Sequence, residues 1–489
     1  MVAITVEQAF QTALTFHQAG QLEAAEAMYR QVVAAQPAKA EAWQQLGLLA
    51  SGARRHREAV DCFRMMVELR PEQAEGHCNL GSALTELGAW NEAVTSFQRA
   101  LTLNPQMAEA YSNLGRALTK QGFYDEAIAA IEHSLKLKPG VAATYGNLGH
   151  TLYRSGRFDE AVACYREWIA RHPQDATAHR SLGHMLLLLG HFAEGWREFE
   201  WRQRDPATPW VHRNFAQPQW NGGAMPGETL LLYAEQGFGD AIHFLRYLPL
   251  AACRAAAGRV IVESPPKLVR LLRQNCPAEV EVVPNDSTLP PFDRQCGLMS
   301  LPFALDEPEP LTMTVPYLHA DPKLRQMWRT RLGPAKQLRV GFCWAGSRVH
   351  VNDQRRSIIA HDLVPVMLVN PEVTFYSLQT EPDERELRDL RQAGLIDLSR
   401  DLTDFADTAA LVAELDLVIS VDTAVAHLAG ALGRPVWTLL PFAPDWRWGP
   451  KGEETRWYPT MRLFRQPAQG NWSQPIERAG TELQALVKR

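Results

Sequence analysis

The sequence predicts two fold classes in one chain: an all-α array of helical repeats, then an α/β half built on parallel sheets. Two observations carry the first. Gly47, Gly81, Gly115, Gly149 and Gly183 fall 34 residues apart, and a leucine precedes each one. Ring-bearing residues keep the same step at Trp43, His77, Tyr111, Tyr145 and His179. A third observation carries the second class. Beyond residue 228 short apolar runs alternate with amphipathic stretches, the signature of strand–helix–strand units.

The bulk numbers suit a soluble, multidomain chain. It has 489 residues, enough for about three domains of ordinary size. Hydrophobic residues make up 46% and charged residues 21%, with a formal net charge of −5. That charge argues against a nucleic-acid partner, which calls for a basic face. The 7 cysteines are odd in number and contain no Cys-x-x-Cys pair, so a disulfide framework or structural zinc is not expected. No apolar run approaches the ~20 residues of a membrane span. The opening MVAITVEQAF has no basic region followed by an apolar one, so no signal peptide is expected and the expected location is the cytoplasm.

Each repeat shows why it is a helix pair. Ala25, Ala59, Ala93, Ala127 and Ala161 are small where two helices approach. Tyr29, Phe63, Phe97, Ile131, Tyr165 and Phe199 are large where they must be filled apart. Gly20, Gly88, Gly122, Gly156 and Gly190 mark the turn within the unit, with Arg54 in that place in the second. Five full units and a degenerate sixth are expected over 1–205. The unit resembles the tetratricopeptide repeat. The first helix of such a unit lines the concave groove, where one position reads Gln11, Gln45, Asn79, Asn113, Asn147 and Ser181. A carboxamide row offers donors and acceptors to an extended peptide. It is also common repeat consensus. The resemblance extends to the repeat domain of O-linked N-acetylglucosamine transferase, where an asparagine ladder holds substrate peptides, and so Asn79, Asn113 and Asn147 are the candidate acceptor-binding residues.

Residues 206–228 read as a linker, rich in proline, glycine and aromatics. Trp210, Phe215 and Trp220 suggest that it packs down. Strands are expected at 229–236, 259–264 and 279–283, then at 338–346, 373–379, 395–399, 415–421 and 435–440. They form two Rossmann-like domains, 229–335 and 336–489, the second closed by a terminal helix. Ligands bind such sheets at the carboxyl ends of the strands.

Three segments reach that edge. Gly237-Phe238-Gly239-Asp240 follows the first strand and opens a helix. Its glycines allow close backbone approach by a ligand, and Asp240 is either a helix cap or a reactive carboxylate. Trp344-Ala345-Gly346-Ser347, followed by Arg355 and Arg356, suits a phosphate or is a solvated basic loop. Gln379 ends the 373–379 run. Asp422-Thr423-Ala424-Val425-Ala426-His427 follows the strand 415–421. Asp422 or Thr423 caps the next helix, whose first-turn N–H groups can hold a diphosphate. His427 lies one turn on, either at the cleft or packed in the core. Trp446, Arg447 and Trp448 lie in the loop after 435–440.

The 422–435 segment is similar to the donor-site signature of heptosyltransferase-like enzymes (glycosyltransferase family nine). The Gly-x-Gly-Asp turn resembles that family's first-strand motif, whose aspartate is the proposed base. The likeness covers about 229–465. The Glu235-Gln236-Gly237 lead-in, the PFAPDWRWGP loop and the added repeats depart from the family and speak against a lipopolysaccharide acceptor. The whole arrangement resembles bacterial repeat-bearing glycosyltransferases, some of which modify flagellin. The resemblance implies a metal-independent, inverting enzyme of GT-B fold. Its donor is a nucleotide sugar, held by Gly237, Gly239, Ser347, Arg355, Arg356, Gln379, Asp422, Thr423, His427, Trp446 and Arg447. Its base is Asp240, with no metal or other cofactor, and its acceptor is flagellin or another surface protein held by the repeats. The alternatives are a repeat scaffold with an inactive catalytic half, a glycan transferase acting on lipopolysaccharide, and a non-hydrolysing sugar epimerase.

Overall fold

The computed structural model describes residues 4–208, 213–311, 315–347 and 353–488. Trp210 lies outside them. Two compact units divide the chain, one ending at Gln174 and the other starting at Asp175.

The first unit holds five helix pairs: Val6–Gln18 with Leu22–Ala35, Ala40–Gly52 with His56–Leu69, Ala74–Leu87 with Trp90–Leu103, Ala108–Gln121 with Tyr124–Leu137, and Ala142–Arg154 with Phe158–Arg171. The periodic glycines are explained by contact. A Cβ on Gly47, Gly81, Gly115 or Gly149 would come under 3.0 Å from Phe63, Phe97, Ile131 or Tyr165 respectively. Each glycine is therefore the socket for the large residue of its partner helix, and the two recur together. The turn glycines are left-handed, as at Gly88 with φ +85°. Arg54 takes that conformation with φ 57°, at the cost a side chain carries there.

The second unit begins with the sixth pair, Ala176–Leu189 and Phe192–Phe199, continued by a 3₁₀ turn at Glu200–Arg204. The boundary between compact units thus falls one helix pair before residue 205. The reason is in the contacts. Trp196 donates its indole N–H to Pro308 O at 2.9 Å and packs edge-on against Phe244 and Trp446. Arg202 is buried and donates to Glu235 Oε1 at 2.8 Å and Ser300 Oγ at 2.7 Å. The following segment packs down as well. Trp220 is buried and donates N–H to Gln295 O, and Phe215 meets Tyr233 and Phe292 edge-on.

Two parallel sheets follow. The first has strands β1 (Thr229–Tyr233), β2 (Arg259–Ser264), β3 (Val280–Pro284) and β4 (Arg294–Gly297) in the order β3-β2-β1-β4. The second has β5 (Leu338–Cys343), β6 (Val373–Ser377), β7 (Leu417–Val421), β8 (Val436–Leu440) and β9 (Met461–Arg465) in the order β6-β5-β7-β8-β9. Central strands such as β7 are buried at every residue, as parallel strands covered on both faces must be. Helix Ser473–Val487 seals the second sheet through Ile476, Ala479 and Leu483.

Three strand expectations change. Residues 395–399 form no strand. They make one isolated bridge, Tyr376 with Ile396, and Ile396 is exposed. The short, polar β4 and the arginine-bearing β9 are strands that periodicity did not reveal. Arg462 in β9 is spent on Glu453 and Glu482, and Arg465 on loop carbonyls, so neither charge breaks the strand.

Candidate active site at the strand ends

Four segments meet where the strands end: the turn after β1, the turn after β5, the helix after β7 and the loop after β8. The turn after β1 opens helix Phe238–Phe244. Gly237 is its N-cap and donates its N–H to Asp240 Oδ2 at 3.1 Å. The other carboxylate oxygen of Asp240 takes a guanidinium N–H of Arg447. Asp240 is therefore both a helix cap and half of an ion pair, with its carboxylate still partly exposed.

Gly239 plays a different part from the one expected. A Cβ there would stand 2.9 Å from His427 Cδ2 and 3.5 Å from Ala424 Cα. The glycine lets helix Phe238–Phe244 close onto helix Ala424–Ala431, so its bare face meets protein. Gly237 is extended, and a Cβ on it would meet only Asp240 Oδ2 at 3.6 Å.

The helix after β7, Ala424–Ala431, starts at Thr423, which makes no side-chain cap. This corrects the expectation that Asp422 or Thr423 caps it. The Thr423 hydroxyl instead turns to Ser420 Oγ at 2.9 Å and Cys343 Sγ at 3.6 Å. Among the described residues, the first-turn N–H groups and the positive dipole end are left without a side-chain acceptor. Arg356 stands next to them. It donates to Asp422 O at 3.1 Å, and its guanidinium covers the face of Gly346 so closely that a Cβ there would clash. Its buried Nε has no hydrogen-bond partner among the described residues. Ser347 is exposed and Arg355 half-buried. Gln379 is turned onto the protein: its Oε1 accepts the Ala345 N–H at 3.1 Å and the Cys343 thiol at 3.5 Å, which locks the turn after β5.

His427 is buried. Its Nδ1 lies 2.9 Å from Tyr458 Oη, its Nε2 4.0 Å from Asp422 Oδ1, and its ring stacks on Trp448. Burial, then the charges of Arg447, Arg246 and Arg356, hold it well below the usual histidine range, and it is neutral. His243 stands 3.1 Å from the same Tyr458 hydroxyl and is neutral for like reasons. One phenol thus pins the two helices together, and neither Tyr458 nor His243 belongs to either motif. Burial and the nearby Asp445 carboxylate push Asp422 up to about 6, against the Trp448 indole, Arg356 and Arg447.

Trp446 and Trp448 are buried in the core. Trp446 is covered by Trp196, His243 and Trp457. Arg447 is buried, lies 4.2 Å over the Trp446 ring, and also donates to Asp445 Oδ1 at 2.8 Å. Glu235, one turn before Asp240, takes Arg202 and the Met299 N–H; burial raises its carboxyl and Arg202 opposes the rise. Among the described residues no three His, Cys, Asp or Glu side chains are grouped to hold a metal ion. In the repeats Asn79, Asn113 and Asn147 are half-buried. Asn113 donates to Ser82 Oγ at 3.3 Å and Asn147 to Ser112 Oγ at 3.0 Å, which ties neighbouring units together.

Tetratricopeptide-repeat family models match residues 10–74, 81–122, 106–171 and 147–196. The model for glycosyltransferase family 9 (heptosyltransferase) matches residues 386–458. That match takes in Asp422, Thr423, His427, Trp446 and Arg447, and it stops short of Asp240. Protein FlbA of Caulobacter vibrioides is 28% identical over 320 residues, 60% of this chain and 52% of FlbA. The chain thus spans about half the length of that relative. Among solved structures, MamA is 28% identical with a TM-score of 0.31 over 33% of this chain and 94% of that one. PilW, a type IV pilus biogenesis factor, is 21% identical with a TM-score of 0.38 over 41% and 92%. The chain joins tetratricopeptide repeats to a family 9 glycosyltransferase domain, and no helix among the described residues is long and apolar enough to cross a membrane.

Proposed function

We propose that the chain is a metal-independent, inverting glycosyltransferase of GT-B type, acting in the cytoplasm. It moves a sugar from a nucleotide-sugar donor to a hydroxyl of a protein held by the repeats. The observation that carries the reading is the helix Ala424–Ala431. It lies inside the family 9 match, starts at a strand end, leaves its first turn without a side-chain cap, and has Arg356 beside it. A helix N-terminus with an arginine supplies what a diphosphate needs. Positive charge from these two sources would do the work of a divalent cation on the leaving group. Asp240 would accept the proton of the acceptor hydroxyl as general base. The freed oxygen would attack the anomeric carbon from the face opposite the phosphate. The carbon–oxygen bond to phosphate would break, and the nucleoside diphosphate would leave with the electron pair, inverting the centre.

A second reading has an observation behind it. Asp240 already caps its helix and pairs with Arg447, as it would in a scaffold whose catalytic half is inactive. A carboxylate has about four lone-pair sites, so these two bonds do not by themselves rule out a role toward a hydroxyl.

The acceptor is tested by replacing Asn79, Asn113 and Asn147 together with Ala. Expected is a fall in sugar transfer to protein, with donor hydrolysis in the absence of acceptor unchanged. Unchanged protein transfer would make the row a tie between repeats and nothing more. Transfer to lipopolysaccharide in place of protein would favour a glycan acceptor.

A further inference from the structure

We propose that Arg447 is a positioning residue for Asp240, braced from behind by the sixth helix pair. The inference rests on the reading of Asp240 as the base.

The geometry is a relay of contacts. Arg447 reaches Asp240 from 207 residues away in sequence and holds one oxygen of its carboxylate. The Gly237 N–H holds the other at 3.1 Å. Two bonds from different directions fix the plane of the carboxylate. Arg447 is itself fixed. Asp445 takes its Nη1 at 2.8 Å, and the guanidinium carbon lies 4.2 Å over the Trp446 ring. Trp446 is seated edge-on against Trp196, whose indole N–H is anchored on Pro308 O. Arg202, at the end of the same helix pair, grips Glu235 just ahead of the Asp240 turn. The sixth pair therefore holds the Asp240 turn from both sides. A surface repeat has no reason to bury an arginine and a tryptophan in this way.

The arrangement also sets the charge balance at Asp240. Arg447 is shared between two carboxylates, and burial does not remove its charge, because Asp445 and Asp240 favour the charged form. Other titratable groups stand around the site among the described residues. Asp422 and His427 stand on the β7 side, and His243 is on the helix of Asp240 itself. His184 lies behind the loop, where burial and Arg180 hold it down to about 4. All three histidines are neutral at pH 7, and Arg447 is a cation in direct contact with Asp240. Arg356 bonds to Asp422 O and covers Gly346, away from this pair.

The experiment is the pH dependence of kcat/KM for donor hydrolysis by the full chain, with two variants that shift the balance in opposite directions. Arg447→Met removes the cation. The acid limb should rise by about one pH unit, and kcat should fall ~10²-fold as the carboxylate loses its orientation. Asp445→Asn frees Arg447 for Asp240 alone, and the acid limb should fall. Arg447→Lys keeps the charge without the planar fork, so its acid limb should lie near that of the wild type while kcat stays low. A structural role alone would lower the melting temperature of these variants and leave the acid limb where it is, which overturns the inference. If Arg447→Met does not fold, the direction of the Asp445→Asn shift decides. A wild-type chain that turns over no donor overturns the base assignment, and this inference with it.

Discussion

The helices after β1 and after β7 both begin at the carboxyl end of a parallel strand, yet they treat their first turns in opposite ways. Helix Phe238–Phe244 closes its own start: Asp240 takes the Gly237 N–H and carries a negative charge at the positive end of the dipole. Helix Ala424–Ala431 has no side-chain cap, because Thr423 turns its hydroxyl to Ser420 and Cys343. The first start is closed by a carboxylate of its own helix; among the described residues no side chain caps the second, and it has Arg356 at its side. On the function proposed above, the same local motif, glycine or hydroxyl followed by a helix, would serve reaction on one sheet and phosphate on the other. The direction of one side chain makes the difference.

The largest expected effect lies on the first helix. Asp240→Asn should lower transfer by ~10²–10⁴-fold, the usual loss when a general base goes. Weakening the bond to Arg447 should also cost about 2 kcal/mol of stability, so turnover must be compared per folded molecule. A variant that melts early with normal turnover would reduce Asp240 to a cap and make the two helices alike in function.

The contact between the helices comes next. Gly239→Ala drives a methyl into His427 and should cost about 1–3 kcal/mol. Gly237→Ala meets nothing closer than an ordinary contact and should stay within about 0.5 kcal/mol. Chemical denaturation of both variants checks this. Equal losses would mean that both glycines serve the turn rather than the helix contact.

The smallest effect is electrostatic and belongs to the second helix. Asp422 is raised from 3.8 to about 6, so the native state holds its proton more tightly than the unfolded chain. That contribution is fully present below about pH 4 and is lost as pH rises through 6. Asp422→Asn should therefore raise the melting temperature relative to wild type more at pH 7 than at pH 4. The same difference at both values would mean that Asp422 is not buried beside Asp445 as described.

The repeats were legible in the sequence because their period records one contact made many times. Gly81 recurs with Phe97 as Gly115 does with Ile131, since each small residue is the socket for its large one. The parallel strands were legible where they are buried on both faces, as β7 is. β9 was not, because Arg462 and Arg465 interrupt its apolar pattern and their partners lie on other elements. At the site, the order of the motifs placed Asp240, Thr423 and His427 at strand ends. It did not reveal what they touch. Trp446 was placed in a loop after a strand, and Trp196 from the sixth pair covers it. Gly239 read as room for a ligand, but His427 fills it. Asp240 and Arg447 lie too far apart for any local pattern to pair them, and Tyr458 carried no motif at all.

The central claim is that the uncapped helix and Arg356 hold a nucleotide sugar without a metal. The direct measurement is thermal shift of the full chain against a panel of nucleotide sugars, with and without EDTA, for wild type and Arg356→Ala. The account predicts stabilisation of the wild type by at least one donor, the same in EDTA, and a shift reduced in Arg356→Ala by the equivalent of ~10-fold in affinity. A shift that vanishes in EDTA and returns with magnesium or manganese, or one that Arg356→Ala leaves intact, would contradict it.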